Sequence, residues 1–403
     1  MLRRDFLRGT VAVGASALLC DWNAKALLGR ECNLPKNVVF RGSYLNSKRV
    51  FETTGRGRVA FLGGSITEMG GYRPMVCEYL QKKFPQTKFE FVAAGIASTN
   101  SDVGAFRLEN DVIANRPVDL FFVEFSVNDD QDGMFDYEHS VRGMEGIIRH
   151  IRTSCPNVDI VMTFFVNENL MQKYREGSVA TSIKAHRAVA ERYGISTIDL
   201  AKEIQEQIDA KQITWSEFGG VHPAPRGNKI CADMIAELLN FAWEQSDQHE
   251  IHAHNLPEPL DPYSYSTGRF RGFDGVKMSD GFSVYVPEWS KIPGGFRNTF
   301  AGVPCLCAEK PGAEADFEIE GNAVALYVLA GPDAGVVEAQ IDEEEWKKVN
   351  LFHPYSGGLH YPRAVILTDA LPEGKHSVKI RVSSEKDEKS SGTAVRIMQI
   401  CVN

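Results

Sequence analysis

A chain of 403 residues, 43% of them hydrophobic, is too long for one ordinary core and predicts about two or three domains. The formal net charge of −9 argues against a nucleic-acid partner, because binding to a phosphate backbone depends on clustered Lys and Arg. The eight cysteines are scattered, so no dense disulfide framework is predicted. Cys305 and Cys307 also lack the C-x-x-C spacing of zinc and redox motifs.

The first residues are typical of an export signal. Arg3 and Arg4 precede a small-residue apolar run over residues 9–19, a layout that resembles a bacterial twin-arginine signal. About 11 apolar residues are too few for a lasting membrane span, and residues 24–26 offer an A-x-A cleavage point. We therefore expect residues 1–26 to be removed and the mature protein to be soluble and exported, to the periplasm or outside the cell. A lipid anchor at Cys20 and an ordinary buried helix remain alternatives.

From residue 58 to residue 245, apolar strands alternate with helical patterns. This alternation predicts a parallel sheet with helices on both faces, in a first domain over residues 27–248. The predicted strands are 58–62, 89–93, 119–125, 159–164 and 195–198, and the predicted helices are 75–83, 102–114, 140–153, 179–193, 201–210 and 230–244.

A linker is predicted over residues 249–262, in a stretch from residue 246 where Ser, Asp, His and Pro follow one another in an order that no regular element tolerates. Three histidines there, His249, His252 and His254, suggest a metal, but no acidic or cysteine partner is spaced to complete a shell. A solvated tether is therefore expected. Beyond it, residues 263–403 predict an antiparallel β-sandwich with strands at 323–329, 336–341, 364–367, 377–382 and 394–402.

Ser65 follows the first apolar strand of the α/β region and two glycines, Gly63 and Gly64. Glycine permits backbone angles that other residues avoid, so the strand can stop abruptly and present the next hydroxyl at the carboxyl edge of the sheet. The helical pattern that follows places this serine near a helix amino terminus, whose free N–H groups favour a developing anion. The turn predicts a nucleophile, although many such turns only connect elements.

His222 is the best candidate for the base that a serine nucleophile needs. It lies in a Gly- and Pro-rich loop just before a helix, which suits a presented ring, although a single histidine of this kind is more often structural. Gly95 and Asn128 follow the second and third strands and can offer N–H groups to an oxyanion. Gly95 and Asn128 both fall at strand carboxyl ends, at the edge of the sheet that carries Ser65.

Together these segments resemble the SGNH (GDSL-like) hydrolase superfamily, in its GGSIT-type branch, over residues 56 to 245. The resemblance implies a three-layer α/β/α flavodoxin-like fold followed here by a jelly-roll-like sandwich. It also implies that Ser65 is the nucleophile, that His222 is the general base, and that the Ser65 N–H, Gly95 and Asn128 form the oxyanion hole. The matching blocks are Gly63-Gly-Ser-Ile-Thr67, Ala94-Gly95, Val127-Asn128-Asp129 and Val221-His222-Pro223.

Two positions depart from the family pattern. Gly64 replaces the Asp that usually precedes the serine, as it does in one branch of the superfamily. Gly219 stands where the family has its triad acid, whose loss can cost about four decades in rate where a triad depends on it. Glu217 is the candidate replacement, and in that role Glu217→Gln should lower turnover at least about tenfold. A solvent-facing Glu217, a backbone carbonyl that holds the ring of a Ser-His dyad, and the more distant Asp199 remain alternatives.

The resemblance implies an exported serine esterase that needs no cofactor or metal and hydrolyses small acyl esters, foremost acetyl esters on carbohydrate. A general arylesterase or lipase-like esterase is one alternative. A catalytically decayed protein that binds glycans through its sandwich is another, with Tyr355, Tyr361, Trp289 and Trp346 as candidate contacts. We expect no nucleic-acid partner and no lasting membrane span, and the sequence does not predict an oligomeric state.

Two further predictions concern Glu124 and the loop over residues 352–363. Glu124 ends an otherwise apolar strand, which favours a buried carboxylate paired with an arginine over a substrate contact. The polar and aromatic loop over residues 352–363 can lean over the Ser65 pocket from the second domain.

Overall fold

A computed structural model of the protein describes residues 34–114, 116–245 and 250–403. The predicted export signal, Cys20 and His249 lie outside these residues. The helices are α1 (Leu45–Thr54), α2 (Ser65–Glu68), α3 (Tyr72–Lys83), α4 (Ser101–Leu108), α5 (Tyr137–Ser154), α6 (Glu168–Arg175), α7 (Thr181–Arg192), α8 (Leu200–Asp209), α9 (Trp215–Phe218) and α10 (Pro225–Trp243). Two π-helical turns lie at Glu109–Ile113 and Asn128–Asp132.

The strands of the α/β region are β1 (Val38–Val39), β2 (Arg56–Gly63), β3 (Lys88–Gly95), β4 (Leu120–Val123), β5 (Asp159–Thr163) and β6 (Ser196–Ile198). Those of the second region are β7 (Arg269–Arg271), β8 (Lys277–Met278), β9 (Ser283–Tyr285), β10 (Cys305–Ala308), β11 (Glu314–Gly321), β12 (Val324–Ala330), β13 (Val336–Ile341), β14 (Lys347–Asn350), β15 (Tyr361–Thr368), β16 (Gly374–Val382) and β17 (Val395–Val402). Three 3-10 turns lie at Trp289–Lys291, Asn298–Phe300 and Pro354–Gly357.

The first sheet has the strand order β1-β6-β5-β4-β2-β3, in which β2 to β6 are parallel and β1 pairs antiparallel with β6. Without β1 the order is the 2-1-3-4-5 of flavodoxin-like folds, which confirms the predicted fold class. Every residue of β4 is buried, so both faces of the sheet are covered. The topology reverses between β2 and β4, and a ligand crevice is expected outside the carboxyl ends of these strands.

The second region consists of two antiparallel sheets, which confirms the predicted sandwich. One has the order β15-β12-β17-β10-β9, with β7 on β17, and the other has the order β14-β13-β16-β11-β8. Strand β12 is buried on both faces. Val324, Leu326 and Val328 point into the sandwich core, whereas Ala325 and Tyr327 pack into the core that includes the α/β region. The sandwich is therefore docked on the first domain through an apolar sheet face.

The segment that joins the two regions is not the solvated tether that its composition predicts. His254 donates its backbone N–H to Pro156 O, and its ring Nε2 lies 2.8 Å from Oδ1 of the buried Asp159. Arg152 donates to Asn255 O in the same segment. Hydrogen bonds thus hold the described part of this segment against the α/β domain, because its polar residues find partners in the protein as well as in solvent.

Candidate active site

The turn that carries Ser65 begins where β2 ends and requires glycine for space. A Cβ on Gly63 would lie 2.1 Å from Glu124 Oε1, and one on Gly64 would lie 2.2 Å from Asn128 Oδ1. Neither glycine has a positive φ; that of Gly64 is −86°. The interpretation that these glycines supply unusual backbone angles is therefore wrong. They let two polar side chains approach the backbone on either side of the turn.

Ser65 and His222 meet above the carboxyl edge of the sheet. Ser65 is the first residue of the one-turn helix α2, and its Oγ lies 2.8 Å from Nε2 of His222. The N–H groups of the first helical turn have no acceptor within the helix, so the Ser65 N–H can face an anion. His222 is exposed and Ser65 is half-buried, so an incoming substrate can reach both side chains.

Asn228 connects the histidine loop to the serine side of the site. Its Oδ1 accepts the Tyr72 N–H at 2.8 Å, and its Nδ2 donates to Pro223 O, next to His222. A Cβ on Gly71 would lie 2.2 Å from Asn228 Oδ1, so the fit is close. This buried amide therefore fixes the start of α10 relative to the start of α3. The sequence analysis missed this role, because an asparagine in a helix gives no periodic signal.

Glu217 does not reach the imidazole. Its Oε2 accepts hydrogen bonds from the N–H and the hydroxyl of Thr214, which closes a capping box at α9, and its Oε1 pairs with Arg226 at 3.0 Å. The Thr214 hydrogen bonds, with the charge of Arg226, hold the pKa of Glu217 below its usual value. Among the described residues, His222 has no other hydrogen bond than the one to Ser65. The arrangement is a Ser-His pair without an acid on Nδ1.

Asp199 is also committed elsewhere. Its side chain caps α8 by accepting the Lys202 N–H and pairs with Arg187 at 2.9 Å. Asp199 therefore serves as the N-cap of α8.

The Glu217→Gln variant is expected to keep turnover of 4-nitrophenyl acetate within about threefold of wild type, because the carboxylate touches neither Ser65 nor His222. Thr214→Val is a suitable control, since it breaks the same capping box and leaves the carboxylate in place. A loss of tenfold or more in Glu217→Gln alone, with an unchanged melting temperature, would instead make Glu217 the acid that orients the ring.

Asn128 lies against the turn that carries Ser65. It begins the π-helical turn after β4, is 3% exposed, and donates one Nδ2 hydrogen to Asp132 Oδ2 at 2.6 Å. Its carbonyl accepts from Asn100 Nδ2 at 2.8 Å. The main chain and the side-chain amide of Asn128 are thus each held by one hydrogen bond beside Gly64, and the second Nδ2 hydrogen remains for a ligand.

Gly95 is placed differently from the donor that the sequence predicts. In the parallel ladder, Ile96 N donates to Gly63 O and Gly95 pairs with Gly63, so the Gly95 N–H points away from β2. A Cβ on Gly95 would lie 2.2 Å from Glu68 N. The glycine therefore lets α2 pack closely on β3, and the register gives no support to its N–H as an oxyanion donor.

Ser98 is a feature that the sequence analysis missed. Its φ of +68° is unusual for a non-glycine residue, and such strain is often found at functional sites. Glu68 Oε2, on the helix of Ser65, accepts the Ala97 N–H at 3.1 Å. Arg297 donates to Ala97 O at 2.8 Å and to Ser98 Oγ at 2.7 Å. No sequence signal marks this residue, because serine is common in ordinary turns.

The sandwich reaches the same loops through the segment that the sequence analysis singled out. Nε2 of His353 donates to Asp132 O at 2.9 Å, and its ring stacks on Tyr361 with centroids 4.4 Å apart. A cavity of about 260 Å³ lies between these residues and the Asn128–Asp132 turn. Of the four aromatic candidates for glycan binding, Tyr361 and Trp289 are buried, Trp346 lies under Arg381, and only Tyr355 is exposed.

In the ranges that the structure describes, no cluster of three or more His, Cys, Asp or Glu could hold a metal ion. A helix of the length and apolar character required to cross a membrane is likewise absent from these ranges.

Comparison with known proteins identifies the first domain. Residues 61–230 match the model of the GDSL-like Lipase/Acylhydrolase family. No curated protein matched the sequence. Among solved structures, the chain is similar to a two-domain esterase (CEX) active on acetylated mannans, with 22% identity and a TM-score of 0.72 over 91% of this chain and 97% of that one. The same esterase co-crystallised with mannopentaose is equally similar, with 96% of its chain covered.

Axe2, an acetylxylan esterase from Geobacillus stearothermophilus, is 20% identical over 47% of this chain and 97% of its own, with a TM-score of 0.36. At such identities, likeness between structures establishes the fold and not the substrate. The family match establishes the enzyme class: residues 61–230 of this chain form a GDSL-like lipase/acylhydrolase (SGNH) domain, an ester-hydrolysing domain that here carries an antiparallel β-sandwich at its carboxyl side.

Proposed function

We propose that this protein is a serine esterase that removes acetyl groups from a polysaccharide of the mannan type, with Ser65 as nucleophile and His222 as general base. The observation that carries the proposal is the 2.8 Å contact between Ser65 Oγ and His222 Nε2 at the carboxyl edge of the sheet. A nucleophile and a base within hydrogen-bond reach are the minimum for acyl transfer.

The chemistry follows from these two side chains. His222 Nε2 takes the proton of Ser65 Oγ as this oxygen attacks the ester carbonyl carbon. The imidazolium then protonates the ester oxygen of the sugar as its bond to the carbonyl carbon breaks, so that the sugar leaves with a hydroxyl group and an acetyl-serine remains. In the second half, a water molecule gives its proton to His222, attacks the acetyl carbonyl and releases acetate, and Ser65 regains its proton.

The tetrahedral intermediates need N–H donors for their oxyanion. The Ser65 N–H at the start of α2 and Nδ2 of Asn128 are the first two donors in this proposal, since both adjoin the nucleophile turn. We assign the third to the Ser98 N–H in place of Gly95. The strained φ of Ser98 and the hydrogen bond between Ala97 and Glu68 support a loop held beside Ser65.

The substrate class rests on architecture. The CEX esterase shares both domains with this chain along almost its whole length, and it acts on acetylated mannans. The sandwich of this chain lies against the loops of Ser98 and Asn128, through Arg297 and His353. A second domain beside a serine nucleophile suits a polymer more than a small ester. The proposal also includes export of the protein, which is supported by the sequence of the amino-terminal segment alone.

The test measures acetate released from acetylated mannan, acetylated xylan and 4-nitrophenyl acetate by the wild type and by Ser65→Ala. We expect kcat/KM on acetylated mannan to exceed that on acetylated xylan at least about tenfold, or about 1.4 kcal/mol of discrimination. Chemically deacetylated mannan is the blank. Activity on the small ester alone would favour a general esterase, and no acetate from any substrate would favour the glycan-binding alternative.

A further inference from the structure

Glu124 lies directly beneath the nucleophile turn and is 1% exposed. It follows β4, and its Oε1 accepts the Gly64 N–H at 3.0 Å and the Thr67 hydroxyl at 2.7 Å. Gly64 precedes Ser65 in the chain and Thr67 follows it. Oε1 of Glu124 therefore binds the backbone of Gly64 and the side chain of Thr67, on the two sides of Ser65 in the chain. The sequence-based prediction that Glu124 pairs with an arginine is wrong.

The packing around this carboxyl group leaves little freedom. A Cβ on Gly63 would lie 2.1 Å from Oε1 and 2.4 Å from Thr67 Oγ1. Thr67 Oγ1 is also 3.0 Å from Tyr72 Oη, which connects the cluster to α3. Only a glycine at position 63 leaves room for the carboxyl group of Glu124. A residue placed so closely under a catalytic turn can set the position of that turn.

Among the residues that the structure describes, no cation forms an ion pair with Glu124. Arg107 of α4 donates to Gly63 O and forms its ion pair with Asp111. The other titratable groups that face Glu124 are Asp129 of the π-helical turn, Tyr72 of α3 and Cys231 of α10. Oε2 has no hydrogen-bond partner among the described residues. Burial raises the pKa of Glu124 to about 7, against the hydrogen bonds from Thr67 and Gly64.

We propose that Glu124 is a positioning residue for Ser65: its Oε1 fixes Gly64 and Thr67 and thereby holds the Ser65 hydroxyl in line with His222 Nε2. The proposal rests on the proposed function, since it assigns a catalytic effect to a residue that touches neither substrate nor His222. Displacement of a nucleophile by about 1 Å can lower a rate by about two decades, which is the size of effect at stake.

The experiment compares Glu124→Leu, which removes the acceptor, with Glu124→Gln, which keeps an amide oxygen for Gly64 and Thr67. We expect Glu124→Leu to lower kcat on 4-nitrophenyl acetate at least about thirtyfold with KM changed less than about threefold. Labelling of Ser65 by a fluorophosphonate should slow in parallel. Glu124→Gln should recover to within about fivefold of wild type, a rescue that lost stability alone does not explain.

Glu145 supplies the matched control. It is a fully buried carboxylate on α5 whose oxygens accept the N–H groups of Leu260 and Asp261 and the hydroxyl of Tyr193. Glu145→Gln and Glu145→Leu should lower the melting temperature and leave kcat within about twofold. If Glu124→Leu does not fold, Thr67→Val tests the proposal in its place. It removes the Thr67 hydroxyl that donates to Glu124 Oε1 and should lower kcat at least about threefold.

Equal rates and labelling for the wild type and a folded Glu124→Leu would overturn this inference alone. The same holds for Thr67→Val with unchanged kcat when Glu124→Leu does not fold. A wild type that neither turns over esters nor labels at Ser65 would overturn the proposed function, and this inference with it. The two failures are therefore distinguishable by the wild-type measurement.

A pH series adds a readout that is independent of turnover. The pKa of Glu124 is about 7 in the folded protein, and its ordinary value is 4.5. Between pH 4.5 and pH 7 the native state therefore binds more protons than the unfolded state does. The stability that Glu124 contributes is therefore highest below about pH 4.5 and decreases as the pH rises to about 7. Relative to Glu124→Gln, the wild type should lose melting temperature over that interval, and a difference in melting temperature that does not change with pH would contradict the complete burial of this carboxyl group.

Discussion

Ser65→Ala is expected to lower kcat on 4-nitrophenyl acetate by at least about four orders of magnitude, because no other hydroxyl replaces the one that lies 2.8 Å from His222 Nε2. His222→Gln is expected to cost nearly as much. Residues that act as a unit are strongly non-additive, so the Ser65→Ala/His222→Gln double variant should be no slower than the slower single variant by more than about threefold.

Ser178→Ala is the control for this series. Its half-buried hydroxyl bonds to Lys173 O beside α6, away from the site, and its removal should leave kcat unchanged. The melting temperatures of Ser65→Ala and wild type should agree within about 2 °C, since the lost hydroxyl is half-buried. Residual activity above about one per cent in Ser65→Ala, free of wild-type contamination, would show that another group carries the reaction.

Predicted helices and strands agree with the structure where the apolar periodicity of the sequence is strong. Strand 58–62 lies within β2, helix 140–153 lies within α5, and strand 336–341 of the sandwich coincides with β13. Helix α6 was not predicted, because only Leu170 and Met171 of its eight residues are buried and no periodic face results. Strand β11 alternates in burial but is not among the predicted strands, because its exposed positions are acidic and acidic residues are depleted in strands.

For the site, strand order was enough to predict that Ser65 and Asn128 lie at one edge of the sheet, whereas His222 was predicted from base chemistry and from the family resemblance. Strand order was not enough for Gly95, because the direction of an N–H depends on ladder register, which a one-residue shift reverses. Nor could the sequence tell that Gly63 and Gly64 are needed for the approach of side chains instead of for backbone angles. The side chains that require this space belong to residues about 60 positions away in the chain.

No carboxylate in the described part of the chain contacts His222, and the backbone contributes to this as well as the missing side chain at residue 219. Gly219, at the position of the family's triad acid, ends α9 with a φ of +107°. A Cβ there would lie 2.0 Å from Ala224 N, which donates to Phe218 O at 2.7 Å. The loop that presents His222 is closed by this hydrogen bond. A carboxylate at residue 219 would displace the loop that holds the ring it is meant to orient.

Gly219→Asp is therefore expected to destabilise the protein without restoring a triad. Overpacking costs about 1 to 3 kcal/mol and a strained φ adds a similar amount, so the free energy of unfolding should fall by about 4 kcal/mol, with kcat no higher than in wild type. Urea unfolding and turnover of 4-nitrophenyl acetate measure both.

Gly220→Asp is the matched control, because residue 220 also has a positive φ, +77°, but a Cβ there meets nothing within 4 Å. It should cost only about 1 kcal/mol, the strain without the collision. The difference between the two variants isolates the contact with Ala224. A folded Gly219→Asp with kcat raised tenfold would mean that the loop can yield to a triad acid, and the Ser-His pair would then be a triad that lacks only its side chain.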